Sequence, residues 1–178
     1  MTSKLGFTAF AAAVFLCLPP AHAAATGGDD AWNLMKTLIG EWQAGTSEGN
    51  SMAMSYQLIS NGSAILETMK EPGGGAFMIT VYHRDGADLM ATHYCAIGNQ
   101  PRMRAAAPTA TGKRIDFRFV DVTNLKSPGD GHISGVAISF KDADHIEELW
   151  GHRANGKETA GALFKLTRLK SAPAKAAK

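Results

Sequence analysis

The sequence predicts an all-β protein, a single antiparallel up-and-down β-barrel of about ten strands with one short N-terminal helix. Segments rich in β-branched and aromatic residues recur about every 8 to 12 residues, and hairpin-turn dipeptides separate several of them. Sequential strands joined by hairpins favour an up-and-down barrel over a Greek-key sandwich. Closure also removes the sheet edges that invite aggregation.

The first 23 residues have the features of a secretory signal peptide. Lys4 precedes an apolar run from Leu5 to Leu18, and Ala21-His22-Ala23 forms a small-x-small cleavage site. A run of about 14 residues is shorter than the roughly 20 needed to span a bilayer. We therefore expect an exported protein, periplasmic or secreted, with no membrane span.

One barrel domain is predicted over residues 24–170, followed by a disordered tail over 171–178. The chain has 18 basic and 16 acidic side chains, but Lys4 and three C-terminal lysines lie outside the periodic segments. The folded part is therefore slightly acidic, and the charge gives no support for nucleic-acid binding. Cys17 falls in the leader, so Cys95 has no internal disulfide partner.

The secondary-structure elements follow from local signals. Asp29-Asp30 and the apolar spacing after them predict a helix near 29–39, which Gly40 closes. Asn61-Gly62, Asp85-Gly86 and Asn155-Gly156 predict two-residue type I′ turns. The predicted strands lie near 40–47, 51–60, 63–71, 76–84, 87–97, 101–107, 113–122, 132–141, 145–153 and 157–169.

The Asn61-Gly62 hairpin assigns the inner face of two strands. One face is apolar apart from Glu67 and the Tyr56 hydroxyl, so we predict that it faces inward. The directly facing pairs expected there are Leu58 with Ile65, Tyr56 with Glu67, and Met54 with Met69.

The next hairpin is less decisive. A turn at Asp85-Gly86 pairs Met78 with His93, and Cys95 shares their face. The opposite face is more apolar, but placing it inside leaves a free thiol exposed in an oxidising compartment. We favour His93 and Cys95 facing inward, with the other orientation left open.

Gly40-Glu41-Trp42, which follows the helix, resembles the Gly-x-Trp signature of lipocalins and related calycin barrels. Arg168 stands where that superfamily packs an arginine over the tryptophan. The chain is also similar to exported bacterial lipocalin-like barrels of unknown function, which have comparable Tyr82-His-Arg-Asp85 and Leu163-Phe-Lys-Leu-Thr-Arg168 segments. The resemblance implies a lipocalin-like fold, structural roles for Gly40, Trp42 and Arg168, and small-molecule binding.

The chain resembles the nitrobindin-type haem barrel more distantly. That family also begins with Gly-x-Trp, and a glycine-rich segment follows the motif. Gly45 and Gly49 partly reproduce that segment here. Its haem ligand is a histidine near the final strand, whereas residues 162–170 contain none and the nearest is His152. The cofactor therefore stays open, with haem as an alternative.

Glu67 is the strongest single site candidate. A carboxylate on an apolar inner face either pairs with Arg104, Arg118 or Arg168, or has a raised pKa and contacts a ligand. No ligand spacing typical of a metal site is present, and no residue set forms a catalytic motif. Methionines suit a cavity that adapts to apolar ligands. The predicted ligand-binding residues are Met54, Tyr56, Glu67, Met69, Met78 and His93.

We therefore expect an exported barrel that binds a small apolar molecule, and the sequence favours a binding protein over an enzyme. Three alternatives remain: a haem or porphyrin carrier, a cavity isomerase or cyclase, and a structural domain with a filled interior. The enzyme alternative would use Glu67, Tyr56 or His93 as acid–base groups. Ligand identity and oligomeric state are left open by the sequence.

The cleavage site generates the first testable prediction. The exported protein should begin at Ala24, because Ala21-His22-Ala23 is the well-placed small-x-small site after the apolar run. Amino-terminal sequencing of the exported form measures this directly. A start upstream of Cys17, or a retained leader, would contradict it.

Overall fold

A computed structural model describes residues 27–46, 51–70, 74–106, 113–159 and 161–170. The predicted signal peptide, 1–23, and the predicted tail, 171–178, lie outside the described residues. Within the described ranges, no helix combines the length and the apolar character needed to cross a membrane.

One α-helix and eleven strands make up the described structure. The helix α1 spans Gly27–Lys36, somewhat earlier than the predicted 29–39, and a single 3-10 turn covers Ser60–Gly62. The strands are β1 Gly40–Thr46, β2 Ser51–Ile59, β3 Ala64–Lys70, β4 Ala76–Asp85, β5 Asp88–Tyr94, β6 Gln100–Ala105, β7 Arg114–Thr123, β8 His132–Phe140, β9 His145–Ala154, β10 Lys157–Thr159 and β11 Leu163–Arg168.

The sheet closes on itself as an up-and-down barrel. Strands β1 to β9 pair antiparallel with their sequence neighbours, and β11 pairs with both β9 and β1. Ten strands form this ring, and the short β10 adds to β9 beyond β11. The predicted fold class is therefore confirmed, because sequential strands with short links satisfy their backbone hydrogen bonds by closing the ring.

The predicted final strand, 157–169, is wrong as a single element because it is divided in two. Thr159 pairs with His152 and Leu163 with Leu149, so β10 and β11 pair with β9 in registers that differ by one residue. One extra residue on one strand interrupts the ladder, as in a β-bulge. The β9 backbone is held there by a hydrogen bond from Trp150 N to Ala162 O at 2.8 Å.

The hairpin registers are confirmed at two turns and shifted at the third. Leu58 pairs with Ile65, as predicted. In the β4–β5 hairpin, however, Asp85 pairs with Asp88, so Gly86 and Ala87 form the loop and His93 faces Thr80 instead of Met78. Gly86 has φ 62°, whereas a type I′ turn at Asp85-Gly86 would need a positive φ at both residues. A two-residue shift keeps the same residues on the same face.

The barrel end at which β1 begins and β11 ends is sealed by Trp42 and Arg168. The Trp42 indole is 1% exposed and donates a hydrogen bond from Nε1 to Leu38 O at 2.7 Å. The Arg168 guanidinium carbon lies 4.1 Å from the centre of the Trp42 ring, and its terminal nitrogens donate to the Thr37 and Ile39 carbonyls. This arginine therefore joins the last strand to the end of α1.

Gly40 is required at this junction. Its φ is 133°, which side-chain-bearing residues rarely adopt, and an added Cβ would stand 3.0 Å from an Arg168 nitrogen. The Gly-x-Trp motif thus combines a backbone turn with room for the arginine that covers the tryptophan.

Removing the indole should be costly. Trp42→Ala should lower the free energy of unfolding by about 3–5 kcal/mol, the usual range for deleting a buried large aromatic. Arg168→Ala should also destabilise, and the two losses should be non-additive by about 0.5–3 kcal/mol because the side chains are in contact. Urea unfolding of the two single mutants and the double mutant measures this coupling. Arg114→Ala, at an exposed arginine on β7, is the control: its loss of unfolding free energy should simply add to that of Trp42→Ala. If the losses of Trp42→Ala and Arg168→Ala also add strictly, the two side chains are not coupled.

Candidate functional site

A row of polar side chains crosses the inner face of β2 to β5. Tyr56 stands opposite Glu67, and Glu67 stands opposite Thr80. Thr80 in turn stands opposite His93. Each of the four is at most 2% exposed. Alternate residues of a strand share a face, so closure of the barrel brings the whole row into the interior.

Glu148 enters the same interior from β9. It is fully buried; the Tyr56 hydroxyl donates to its Oε1, and the Trp150 indole donates to its Oε2 at 2.9 Å. The adjacent Glu147 faces outward and pairs with Lys141 at 2.8 Å. These neighbouring carboxylates therefore face opposite sides, as the strand alternation predicts.

Hydroxyl groups connect Glu67 to His93. The Tyr82 hydroxyl donates to Glu67 Oε2 at 2.6 Å, and the Thr80 hydroxyl also donates to Glu67. Thr80 Oγ1 lies 2.9 Å from Nδ1 of His93. The contacts of Glu67 in this network are hydroxyl groups and not cations.

None of the three candidate arginines neutralises Glu67. Arg104 pairs with two partly exposed aspartates at 2.7 Å, and Arg118 is exposed. Arg168 is engaged with main-chain carbonyls at the end of α1. The interpretation that Glu67 pairs with one of these arginines is therefore wrong, because each lies at the surface or at the sealed end.

Glu67 and Glu148 are buried carboxyl groups that pair with no cation among the described residues, so each has a raised pKa. Burial raises the pKa of Glu67 well above its ordinary value, the nearby Glu148 carboxyl raises it further, and hydrogen bonds from Tyr82 and Thr80 partly lower it. Burial also raises the pKa of Glu148. An acid with a raised folded-state pKa contributes stability below its unfolded pKa and loses that contribution as the pH rises through the folded pKa.

A cavity of about 330 Å³ opens at the barrel end opposite α1, where β3, β5 and β9 end and β4, β8 and β11 begin. Its volume is near the lower limit of typical ligand pockets, about 300 Å³. Met69, Met78, Ile133, Trp150 and Phe164 form its apolar walls.

His93 is the polar group of this wall that lacks a partner. Its ring lies 4.8 Å from the Trp150 ring, and its Nε2 has no hydrogen-bond partner among the described residues. Burial lowers the pKa of His93 to about 4, so the imidazole is uncharged at neutral pH. An unsatisfied buried polar group costs about 1–3 kcal/mol, so a hydrogen-bond partner for this nitrogen would stabilise the fold.

The predicted ligand-binding residues divide into two groups. Met69, Met78 and His93 line the cavity. The other three do not line it and are each 1% exposed, so they lie sealed in the barrel core; these are Met54, Tyr56 and Glu67. The structure therefore keeps the two polar members of that group away from any molecule in the cavity.

Sequence reasoning missed Glu148 and Trp150 as parts of the site. The signal for Glu148 was present, since it alternates with Ile146 and Trp150 along β9, and all three are buried. Its contact with Tyr56 had no sequence signal, because the two residues lie 92 positions apart and meet across the barrel.

The residues present do not fit a haem. The last strand, β11, buries Phe164 and Leu166 and carries no histidine, whereas the nitrobindin-type barrel has its haem ligand near that strand. The cavity is also smaller than a tetrapyrrole requires. Across the part of the chain that the structure describes, no three His, Cys, Asp or Glu side chains group as metal ligands.

Fold and cavity together define the class: a closed ten-stranded antiparallel β-barrel with a pocket at one end. No family model and no curated protein matches the chain. Seven chains of solved structures do match.

The crystal structure of Rv2717c from M. tuberculosis is similar to this chain, with 13% identity and a TM-score of 0.52, and the match covers 79% of this chain and 98% of that chain. EF1p2_mFAP2b bound to DFHBI has 14% identity and a TM-score of 0.34, covering 78% and 98%. The likeness to Rv2717c shows a shared barrel fold.

Glu67→Gln keeps the shape of the side chain and removes an ionisable group from the interior. We expect the free energy of unfolding at neutral pH to stay unchanged or rise, because the change leaves no cation unpaired. Removing one partner of a buried ion pair would instead cost about 3–5 kcal/mol. Urea unfolding measured from acid to neutral pH tests this.

The pH dependence of the free energy of unfolding separates the effect of Glu67 from that of a surface carboxylate. Wild-type stability should decline as the pH rises from the ordinary carboxyl pKa through the raised folded-state pKa, and Glu67→Gln should reduce that decline. Glu147→Gln, on the solvent side of β9, should leave it intact. A loss of several kcal/mol in Glu67→Gln would mean that Glu67 balances a buried positive charge.

Proposed function

We propose that this protein is an exported small-molecule-binding barrel whose cavity holds a small, largely apolar ligand through one hydrogen bond to His93. One observation carries the proposal: an apolar cavity of about 330 Å³ is lined by a buried imidazole whose Nε2 lacks a partner. Ligand pockets typically combine apolar walls with a few placed polar groups. The signal-peptide features predicted for residues 1–23 support the exported location.

The wall chemistry favours an adaptable apolar surface. Met69 and Met78 are unbranched and polarizable, so they can adjust to ligands of different shape. Trp150 and Phe164 add flat aromatic surface on the β9 and β11 side. Such walls suit a flat, mainly hydrocarbon molecule.

The electrostatics favour a neutral ligand. His93 is uncharged at neutral pH, with its pKa lowered to about 4, and no lysine or arginine is among the described residues that line the cavity. An anion would therefore lose its hydration without gaining a cation in return. Because the Thr80 hydroxyl donates to Glu67, Nδ1 of the neutral His93 ring donates to Thr80 and Nε2 is left as an acceptor. A hydroxyl group on the ligand can therefore satisfy Nε2 by donating to it.

A matched pair of probes tests the polar contact. The wild-type protein should bind both naphthalene and 1-naphthol, and it should prefer 1-naphthol by about two- to twelvefold, the value of one hydrogen bond. His93→Phe keeps an aromatic ring and removes the nitrogen, so it should abolish this preference while naphthalene still binds. Fluorescence titration measures the four affinities.

His83→Phe is the control, because His83 lies on the outer face of β4 and should leave the preference unchanged. Failure of either probe to bind the wild-type protein would refute the cavity as a ligand site. A haem titration that produces a Soret band dependent on His93 would assign the cavity to a tetrapyrrole instead.

A further inference from the structure

Sulfur side chains form a row across four neighbouring strands, next to the polar row that ends at His93. Met54 pairs with Met69, and Met69 pairs with Met78. Cys95, just beyond the end of β5, continues this row, with its Sγ 4.0 Å from Met78 Sδ. The barrel closure therefore brings three thioethers and a thiol into line, and Met69 and Met78 border the cavity.

The spacing of the last two sulfurs suits a shared metal ion. Metal–sulfur bonds in proteins are about 2.3 Å long. Two such bonds at a trigonal angle place their sulfurs about 4.0 Å apart, which matches the separation of Met78 Sδ and Cys95 Sγ.

His93 carries an imidazole on the same strand face as Cys95. It precedes Cys95 by two positions and lines the same cavity as Met78. Its Nδ1 is held by Thr80, while Nε2 has no partner among the described residues. A histidine that is oriented through one ring nitrogen and free at the other has the arrangement of a metal ligand.

We propose that Met78 Sδ, Cys95 Sγ and His93 Nε2 form a three-coordinate site for monovalent copper at the open end of the barrel. Thioether and thiolate donors select soft ions, and imidazole also suits copper. Zinc sites use imidazole, thiolate and carboxylate donors, and no such group of three is present in the described chain.

Charge balance supports the same ion. Copper(I) and one thiolate sum to zero, so the occupied site would place no net charge beside the apolar walls. A divalent ion on the same donors would keep one uncompensated positive charge. Cys95 is half-buried and Met78 is partly exposed, so the ion can reach the site from the cavity mouth.

The copper(I) site goes beyond the proposed function, and the ion and the organic ligand would compete for one protein atom. Copper(I) and a hydroxylated ligand both require Nε2 of His93. Copper(I) loading should therefore remove the preference for 1-naphthol over naphthalene. The two proposals fail separately, because naphthalene binding does not depend on Cys95 and copper binding does not depend on an organic ligand.

Anaerobic titration of the exported protein with copper(I), against a chromophoric copper(I) chelator, tests the site. We expect one ion per chain, and an affinity reduced at least about tenfold in Met78→Leu, Cys95→Ser and His93→Phe. Met103→Leu, at a fully buried methionine on β6, is the matched control and should keep wild-type affinity. X-ray absorption should show two sulfurs and one nitrogen around the ion.

Thermal melts of each variant establish that the protein is folded, and Cys95→Ser, at a half-buried position, is the variant least disruptive to the core. Absence of binding to the wild-type protein would overturn the proposal. So would an affinity that Met78→Leu and Cys95→Ser leave unchanged, or zinc binding that equals copper binding and does not depend on Met78.

Discussion

Closure of the sheet is the constraint on which the rest of the structure depends. Because β11 pairs with both β9 and β1, each of the ten ring strands has two neighbours and presents alternate residues to a single interior. The inward or outward position of a residue therefore decides whether it meets water or the core. At the helix end, the stack of Arg168 on Trp42 seals this interior, which leaves the opposite end available for a cavity.

The sealed interior explains the behaviour of the two buried carboxyl groups. Glu67 and Glu148 lie in a space that the candidate arginines do not reach, so their charges are opposed by burial and by each other. Hydroxyl and indole groups satisfy their oxygens without neutralising them. Burying these two carboxyl groups therefore lowers the free energy of unfolding at neutral pH. The polar network that they form fixes the position of Thr80, and Thr80 in turn fixes His93.

At the open end, the same alternation brings chemically different rows together. The polar row ends at His93, and the sulfur row ends at Met78 and Cys95, beside an apolar cavity. A neutral imidazole with an unused nitrogen is a hydrogen-bonding site for an organic ligand and a donor for a soft metal ion. The proposed apolar-ligand site and the proposed copper(I) site thus depend on the same atom, Nε2 of His93, which has no hydrogen-bond partner among the described residues.

The sequence by itself determined the strand order, the barrel class and the β2–β3 register, because alternation and hairpin turns are local signals. It also indicated that Glu67 faces inward. The β4–β5 turn and the register difference between β10 and β11 departed from those signals, because backbone φ values set the first and pairing with β9 sets the second. Only the tertiary structure decided that Glu67 meets Glu148 and no arginine, and that His93 borders the cavity while Tyr56 does not. Those contacts join residues far apart in the chain, and closure of the barrel is what brings them together.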